Sequence, residues 1–340
     1  MEEQKDRSAL PTVFGFDFQE VAGLILTLFY LKDVKEISIE GKKQDIELLL
    51  NNGKVIYAQA KATTKFESTT LDKFKEGMVT LIENSQLNNA EKLIYVTNSI
   101  YPLGKASKLK TFFGSSDKEK RYTFNDFKRN GLNIDSYINK VSNSDVSFDR
   151  ESFELHFYKL LEVSDKKTKY EVAFEYIQEF LGKIGKSSYK NEVFDLWEAQ
   201  FHRNAAQKET LSKKDFIWKM VVRLFEVHQL DEFKDFFEFD NNEIDEIEER
   251  FGDVINDLVN WYELSNIIFN SYLKYKRKLC NTNRNNRELV FVDEHWTEFQ
   301  DDIIFLSGDE ESREIITKLV IWKILINKVT IKKALNEAGL

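Results

Sequence analysis

The chain has 340 residues, of which 42% are hydrophobic and 31% charged, with a formal net charge of −9. This length and apolar content exclude a disordered chain and allow two domains of ordinary size. The single cysteine, Cys280, excludes a disulfide framework and a multi-cysteine zinc site, and we expect a cytoplasmic protein without a signal peptide or a membrane span.

The charge is unevenly distributed along the chain. Residues 1–150 hold 22 basic and 21 acidic residues, a balance of +1, which leaves −10 for residues 151–340. Within the first part, residues 101–130 hold eight basic and three acidic residues. We therefore expect only the first half to face a phosphate backbone. Lys105, Lys108 and Lys110 are the candidate DNA contacts, with an ordinary solvated loop as the alternative.

Patterns typical of strands cluster in the first hundred residues. An apolar run from Gly15 to Leu31 predicts a buried helix, with Asp17 and Glu20 spaced as a capping box at its start. Alternation and turn signals then predict four strands and a second helix. The predicted strands are 36–40, 45–50, 55–61 and 93–97, and the second helix covers 71–82 with Thr69 as its cap. The order is therefore helix, three strands, helix, strand.

The second half of the chain has mainly helical periodicity. The predicted helices are 170–182, 192–202, 213–228, 243–278, 310–326 and 329–338, and residues 287–293 are a candidate strand. An apolar stripe near the C-terminus consists of Ile315, Leu319, Trp322, Leu325 and Ile326 at helical spacing. Such a stripe packs either within its own domain or against another chain, and both alternatives are open at this point.

The register of the hairpin over residues 45–61 decides which side chains share a face. A two-residue turn at Asn52 and Gly53 would place Asp45 opposite Ala60. A three-residue turn, with Gly53 in the left-handed conformation, places Asp45 opposite Gln59. The second register gives the hairpin one apolar face and one polar face, and we therefore expect it.

The polar face of this hairpin combines carboxylates, an amide and a lysine at spacings that suit metal chemistry. Asp45 and Glu47 offer carboxylate oxygens and Gln59 an amide oxygen, the hard ligands that Mg²⁺ takes. Lys61 can orient or help to deprotonate a water, or neutralise a phosphate. Lys43 would lie opposite Lys61 and add to the candidate DNA contacts. The alternative is a solvated polar face without a site.

These residues resemble a known family, the PD-(D/E)XK metal-dependent nucleases. The likeness rests on Gly15-Phe16-Asp17-Phe18-Gln19, Asp45-Ile46-Glu47, Gln59-Ala60-Lys61 and Val96-Thr97-Asn98, and it covers roughly residues 1–100. It is closer to the effector nucleases of bacterial anti-phage systems such as CBASS and Lamassu than to the Mrr restriction nucleases.

The resemblance implies a fold, a function and partners. The fold is α/β, with a restriction-endonuclease-like α/β/α core in residues 1–165, followed by a mainly helical oligomerisation or partner-binding domain in residues 166–340. The function is a metal-dependent DNA endonuclease that uses Mg²⁺ or Mn²⁺ on double-stranded DNA as an anti-phage effector. Activation would follow oligomerisation or release from partner subunits, for example an SMC-like ATPase.

The resemblance also implies a role for individual residues. Asp45 matches the metal-binding aspartate, Gln59 the glutamine that replaces an acidic residue in this branch, and Lys61 the catalytic lysine. Gln19 would support the site. A second carboxylate would come from Glu47, Glu20 or Glu40, although Glu20 is also a candidate capping residue and Glu40 a candidate strand end.

Two rival functions follow from the same residues. One is a restriction-type nuclease with its own recognition domain, which the balance of −10 beyond residue 150 disfavours. The other is an inactive nuclease fold that serves as a binding or scaffold subunit, which the missing carboxylate at Gln59 leaves open.

Overall fold

The structure, a computed structural model, describes residues 10–64, 71–104, 117–129, 131, 133–139, 149–225, 230–278, 286–303 and 310–340. The chain divides into two compact units. The first unit comprises residues 1–216 and 337–340, and the second comprises residues 217–336. Lys105, Lys108, Lys110 and the predicted cap Thr69 lie outside the described residues.

The first unit combines helices with one sheet. Its helices are α1 (Leu10–Phe29), α2 (Leu71–Ser85), α3 (Phe124–Arg129), α4 (Asp135–Ile138), α5 (Lys166–Lys169), α6 (Glu171–Ile184) and α7 (Lys190–Gln207), with a 3-10 turn at Ser187–Tyr189. Its strands are β1 (Val34–Ile39), β2 (Ile46–Leu50), β3 (Val55–Lys61), β4 (Ala90–Thr97), β5 (Glu119–Thr123), β6 (Phe153–Tyr158) and β7 (Leu211–Ser212). The predicted order is confirmed from α1 to β4, whereas the sequence patterns do not predict β5, β6 or β7.

The described strands form a seven-stranded mixed sheet in the order β5-β6-β4-β3-β2-β1-β7. The strands β1, β2 and β3 are antiparallel neighbours, and β3, β4 and β6 are parallel. The parallel strands therefore end at one edge of the sheet, where Lys61 and Thr97 are the last residues of β3 and β4. Helix α2 packs on the face of Tyr57 and Tyr95.

The hairpin of β2 and β3 has the predicted three-residue turn. Glu47 pairs with Tyr57, the Leu50 N–H donates to the Lys54 carbonyl at 2.8 Å, and Gly53 has a φ of +81°. Glycine adopts that φ without the steric cost that a side chain brings. The expected register is therefore confirmed, and with it the coincidence of the two polar faces.

Helix α1 begins at Leu10, so the capping box predicted at Asp17 and Glu20 is wrong. Both residues lie inside the helix. Asp17 accepts a hydrogen bond from the Tyr170 hydroxyl at 2.9 Å and pairs with Lys169. The side chain of Asp17 thus makes a tertiary contact, which a local spacing pattern does not distinguish from a cap.

Among the described helices, α1 alone is long and apolar enough to cross a membrane by length and composition, over Thr12–Phe29. Half of that segment is buried inside the structure. Gly23 lies against Ile39 of β1 and Phe201 of α7. These contacts are those of a core helix that packs on a sheet.

The first unit extends beyond the domain boundary expected at residue 165. Helices α6 and α7 pack against α1. Trp197 of α7 is fully buried, stacks on Phe216 with ring centroids 4.4 Å apart, and donates its indole N–H to the Phe216 carbonyl at 3.0 Å. Helices expected in a separate domain therefore complete the core of the α/β unit, whose main segment ends at Phe216.

A buried lysine binds the last residues of the chain within the first unit. Lys213, at the start of α8 (Lys213–Arg223), donates hydrogen bonds from its amine to the carbonyls of Lys32, Ala338 and Gly339 at 3.3, 3.0 and 3.2 Å. Burial lowers the pKa of Lys213. Three carbonyl acceptors compensate this amine for the water that it loses.

The described elements of the second unit are all helical. They are the remainder of α8, α9 (Asp231–Phe237), α10 (Asn241–Asn260), α11 (Tyr262–Lys278), α12 (Arg287–His295), α13 (Glu310–Ile326) and α14 (Lys328–Ala338), with 3-10 turns at Trp296–Glu298 and Asp301–Ile303. The strand predicted at 287–293 is wrong, because these residues lie in α12 and bury Leu289 and Val292, which share a helical face.

The C-terminal apolar stripe packs within the second unit. Ile315, Leu319, Trp322 and Leu325 are buried, Ile326 is half-buried, and the ring of Trp322 lies 5.3 Å from that of Phe233. Of the two alternatives for this stripe, the structure shows the intramolecular core. Self-association stays a prediction, and it requires a surface other than the stripe.

A buried ionic group on β6 predicts acid sensitivity. His156 is fully buried between the Glu154 carboxylate at 2.8 Å and the Tyr158 hydroxyl at 2.9 Å. Burial lowers the pKa of His156. Burial alone would raise the pKa of Glu154, but His156 and the paired amine of Lys92 bring it to about 2.

Unfolding by urea should therefore become easier as the pH falls from 7.5 to 5.5. The folded state binds the His156 proton less well than the unfolded chain, which protonates this residue near pH 6.5. This stabilisation is therefore present above about pH 6.5 and decreases below it, by at most ~1.4 kcal/mol per pH unit. Loss from Glu154 begins only below about pH 4.3. His156→Gln should make the urea midpoint depend less on pH between 7.5 and 5.5. The control His202→Gln, at an exposed histidine, should keep the dependence of the wild type. An equal slope in all three proteins would contradict the assignment.

Candidate active site

Three predicted residues meet where β2 begins and β3 ends. Asp45 directly precedes β2, and its Oδ2 accepts hydrogen bonds from the Gln59 amide and from the Ala60 N–H at 3.0 Å. The Lys61 amine lies 3.5 Å from the same oxygen. Asp45 and Lys61 keep 15% and 27% of their side chains exposed. A substrate can therefore reach this charged pair, while Gln59 is buried beneath it.

Helix α2 contacts the buried side chain of Gln59. The Thr80 hydroxyl lies 3.1 Å from Gln59 Oε1 and 3.4 Å from Gln44 Oε1. Gly77, one turn earlier, leaves room for this arrangement, because a Cβ there would lie 2.7 Å from the Tyr95 ring and 3.1 Å from Gln59. The sequence patterns do not predict Thr80 or Gln44 as site residues, since these contacts join distant segments of the chain.

Asn98 fixes the strand ends that carry the site. Its Oδ1 accepts from the Thr63 N–H at 2.8 Å, and its amide donates to the carbonyls of Thr63 and Leu160 at 2.8 and 3.0 Å. Asn98 is buried. Asn98 therefore links the segments that follow β3, β4 and β6. Its contact with Thr63 lies two residues beyond Lys61.

Glu47 has a different partner from the one expected. Its Oε1 accepts hydrogen bonds from the backbone N–H groups of Lys43 at 2.6 Å and Gln44 at 3.2 Å. Strand alternation places Glu47 on the face of Asp45, but its carboxylate bonds to the backbone of the loop that precedes β2. The structure therefore does not place the Glu47 carboxylate with Asp45, Gln59 and Lys61.

Glu40 contacts Asp45 through its backbone. It has a positive φ of 51°, and its N–H donates to the Asp45 carbonyl at 2.8 Å. Burial raises the pKa of Glu40, and the negative charge of Asp45 raises it further, while Lys61 lowers it. The charge of Glu40, one of the three candidates for a second carboxylate, therefore interacts with both Asp45 and Lys61.

The supporting residues expected on α1 have separate surroundings. Glu20 accepts a hydrogen bond from His202 Nδ1 at 3.0 Å, and burial raises the pKa of Glu20. Gln19 has a buried side-chain oxygen that no described group satisfies. No hydrogen bond or ion pair joins either residue to Asp45 among the described residues.

Lys43 and the described residues at the start of the basic segment contact aromatic or acidic side chains. The amine of the exposed Lys43 lies 5.8 Å from the Tyr57 ring centroid. In the described part of the basic segment, Lys118 pairs with Glu171 and Glu175, and Lys120 with Asp117.

Lys73 of α2 is a further cation that the sequence patterns do not predict. It donates to the Ala62 carbonyl, directly beyond Lys61. Burial lowers the pKa of Lys73, Glu76 raises it, and the charge of Lys61 lowers it.

The described residues contain no cluster of three or more His, Cys, Asp or Glu side chains that could hold a metal. Asp45 and Gln59 together nevertheless offer donors that fit a single Mg²⁺ ion. Asp45 supplies a carboxylate and Gln59 an amide, both suited to a hard cation. A half-turn of the amide, which leaves the shape of the side chain unchanged, directs its oxygen towards Asp45. The Thr80 hydroxyl can then accept instead of donate.

Thr80→Val should weaken the site without unfolding the protein. Valine has nearly the same shape but cannot bond to Gln59, so the amide loses its orientation. We expect the Mg²⁺ concentration for half-maximal binding to rise about 10- to 100-fold. Thr80→Ser should restore it, because serine keeps the hydroxyl. A change in thermal stability alone, with an unaltered Mg²⁺ midpoint, would assign Thr80 to packing.

No protein-family model matches the chain, and neither curated proteins nor solved structures give a significant match to it.

Proposed function

We propose that the chain is a Mg²⁺-dependent DNA endonuclease with a restriction-endonuclease-like core made of α1, β1, β2, β3, α2 and β4. The observation that carries the proposal is the meeting of Asp45, Gln59 and Lys61 at one accessible point, in the register that the sequence favours. An isolated polar hairpin face has no need of a buried amide anchored from a second element, as Gln59 is by Thr80.

Each residue has a distinct task in this proposal. Asp45 and Gln59 would hold the cation, with Glu40 as the further carboxylate whose charge interacts with Asp45. When bound, Mg²⁺ would supply Lewis-acid polarisation of a phosphate oxygen and make a water more acidic. Lys61 would position the attacking water or neutralise charge that develops on the phosphate. Lys73, beside it on α2, adds positive charge where the DNA backbone would pass.

The biological setting is part of the same proposal. The nuclease would act in the cytoplasm as an anti-phage effector on double-stranded DNA, and oligomerisation or release from partner subunits, such as an SMC-like ATPase, would activate it. Light scattering and plasmid cleavage on the full chain test this control. A protein that is monomeric at every concentration and cleaves without any partner would contradict it.

The rival is an inactive fold that serves as a scaffold. One observation favours it: Asp45, Gln59 and Lys61 satisfy one another, and no further carboxylate contacts Asp45 among the described side chains. Incubation of supercoiled plasmid with the full chain, with Mg²⁺, with Mn²⁺ and with EDTA, separates the two functions. Nicking that requires the metal supports the nuclease, and no nicking under any activating condition supports the scaffold.

A further inference from the structure

A groove of about 340 Å³ lies beside the candidate active site, within the first unit. Helix α1, helix α7 and the end of β1 supply its walls. The lining residues are Val13, Phe16, Asp17, Glu20, Glu40, His202, Ala205 and Ala206. Its volume falls in the range of small-ligand sites.

The apolar wall of the groove is open to solvent. Val13 and Phe16 lie in the first two turns of α1 and are 61% and 50% exposed, whereas Phe14 and Phe18 of the same helix are buried. Ala205 and Ala206 face them with small side chains, which leave the ring of Phe16 accessible. An exposed aromatic ring on a rigid helix is a surface on which a flat heterocycle can stack.

The carboxylates of the groove differ in whether the protein already satisfies them. Asp17 is bonded to Tyr170 and Lys169, and Glu20 to His202. No described residue donates a hydrogen bond to the Glu40 carboxylate. A carboxylate is an acceptor when ionised and repels phosphate. The matching group therefore has a flat face for Phe16 and N–H donors for Glu40, and it carries no phosphate inside the groove.

Glu40 also connects the groove to the candidate active site, because its N–H donates to the Asp45 carbonyl at 2.8 Å. A ligand in the groove therefore lies next to the group that would hold the scissile phosphodiester. On DNA, the flat donor-bearing group next to a phosphodiester is a nucleobase.

We propose that this groove receives one unstacked nucleobase of the strand that is cut, with the base on Phe16 and its amino group at Glu40. The inference rests on the proposed nuclease function. Adenine, cytosine and guanine carry an exocyclic amino group, whereas thymine does not, so thymine is the disfavoured base at this position. Extrusion from a paired duplex costs a few kcal/mol, and an unpaired base avoids that cost. Mismatched or frayed DNA is therefore the preferred substrate.

The probe is a DNA duplex that carries 2-aminopurine, a fluorescent base with an amino group, in a mismatch. Binding is measured with the full chain in EDTA, so that no cleavage occurs. We expect the 2-aminopurine fluorescence to change on binding to the wild type and to Phe16→Trp, which keeps a flat ring. Phe16→Leu should lose the change and weaken binding of the mismatched duplex about tenfold. Phe29→Leu is the matched control, since Phe29 is an exposed phenylalanine at the other end of α1, and it should behave as the wild type.

Equal fluorescence changes in Phe16→Leu and the wild type would overturn the inference, as would equal rates on paired and mismatched DNA in Mg²⁺. Plasmid cleavage by the wild type distinguishes this failure from failure of the proposed function. A protein that cleaves but shows no dependence on Phe16 lacks the base pocket and remains a nuclease. A protein that cleaves no DNA under activating conditions removes the nuclease proposal, and the base pocket with it.

Discussion

Lys61→Ala and Asp45→Asn are each expected to reduce plasmid cleavage by about a thousandfold or more, since groups that act on the attacking water or the phosphate contribute on this scale. The fold should stay intact. The Lys61 amine lies 3.5 Å from Asp45 and is partly exposed, and such pairs contribute little to stability. In Lys61→Ala, Asp45 would still accept hydrogen bonds from Gln59 and the Ala60 N–H. In Asp45→Asn, the side-chain oxygen of the amide can accept the same two bonds.

Lys54→Ala is the matched control for this loss. Lys54 lies in the turn of the same hairpin, is exposed and pairs with Glu91 at 2.8 Å. Its removal changes the net charge as Lys61→Ala does, but at the opposite end of β3. Full activity in Lys61→Ala, or an equal loss in Lys54→Ala, would remove the assignment of Lys61 as the catalytic lysine. Circular dichroism of each variant checks that the fold is retained.

Gln59→Glu should make the protein less stable without metal and more responsive to it. The substitution replaces a donor to Asp45 with a second negative charge in a buried position. We expect the free energy of unfolding in EDTA to fall by about 1 to 3 kcal/mol. Mg²⁺ should restore it, because a cation that binds the folded state stabilises that state in proportion to its affinity. Cleavage should be retained, since the usual carboxylate of the resembling family returns in nearly the same volume.

Urea unfolding with and without Mg²⁺ measures both parts of this prediction. Gln86→Glu is the control, since it adds the same charge at an exposed position. The stabilisation by Mg²⁺ should be larger for Gln59→Glu than for the wild type or the control. A protein in which Mg²⁺ stabilises none of the three would contradict a cation site at Asp45 and Gln59.

The hairpin was predictable because its determinants are local. Gly53 sets the turn, and two-residue alternation then brings Asp45, Gln59 and Lys61 to one point. Alternation did not predict the direction of Glu47, because a side chain on the correct face can still rotate to the backbone of its own loop.

Contacts between distant segments account for the remaining differences. Thr80 reaches Gln59 from α2, and Asp17 reaches Tyr170 from α1, so neither has a signal in its own neighbourhood. The same reason explains the misplaced boundary at 165, since α6 and α7 have ordinary amphipathic patterns that do not specify which core they join. The resemblance to a nuclease family rests on short motifs around Asp45, Gln59 and Lys61, and it does not predict these contacts.

The Lys213 amine constrains how this protein can be dissected. The second unit is an insertion in sequence, because the chain leaves the first unit after Phe216 and returns to it at Glu337. Truncation after residue 165 or 216 would also delete the carbonyls of Ala338 and Gly339, and truncation after 216 would leave a buried ammonium group with the Lys32 carbonyl as its one remaining described acceptor. A shortened protein should instead replace residues 217–336 with a flexible linker and keep the last four residues, so that loss of activity can be attributed to the helical unit itself.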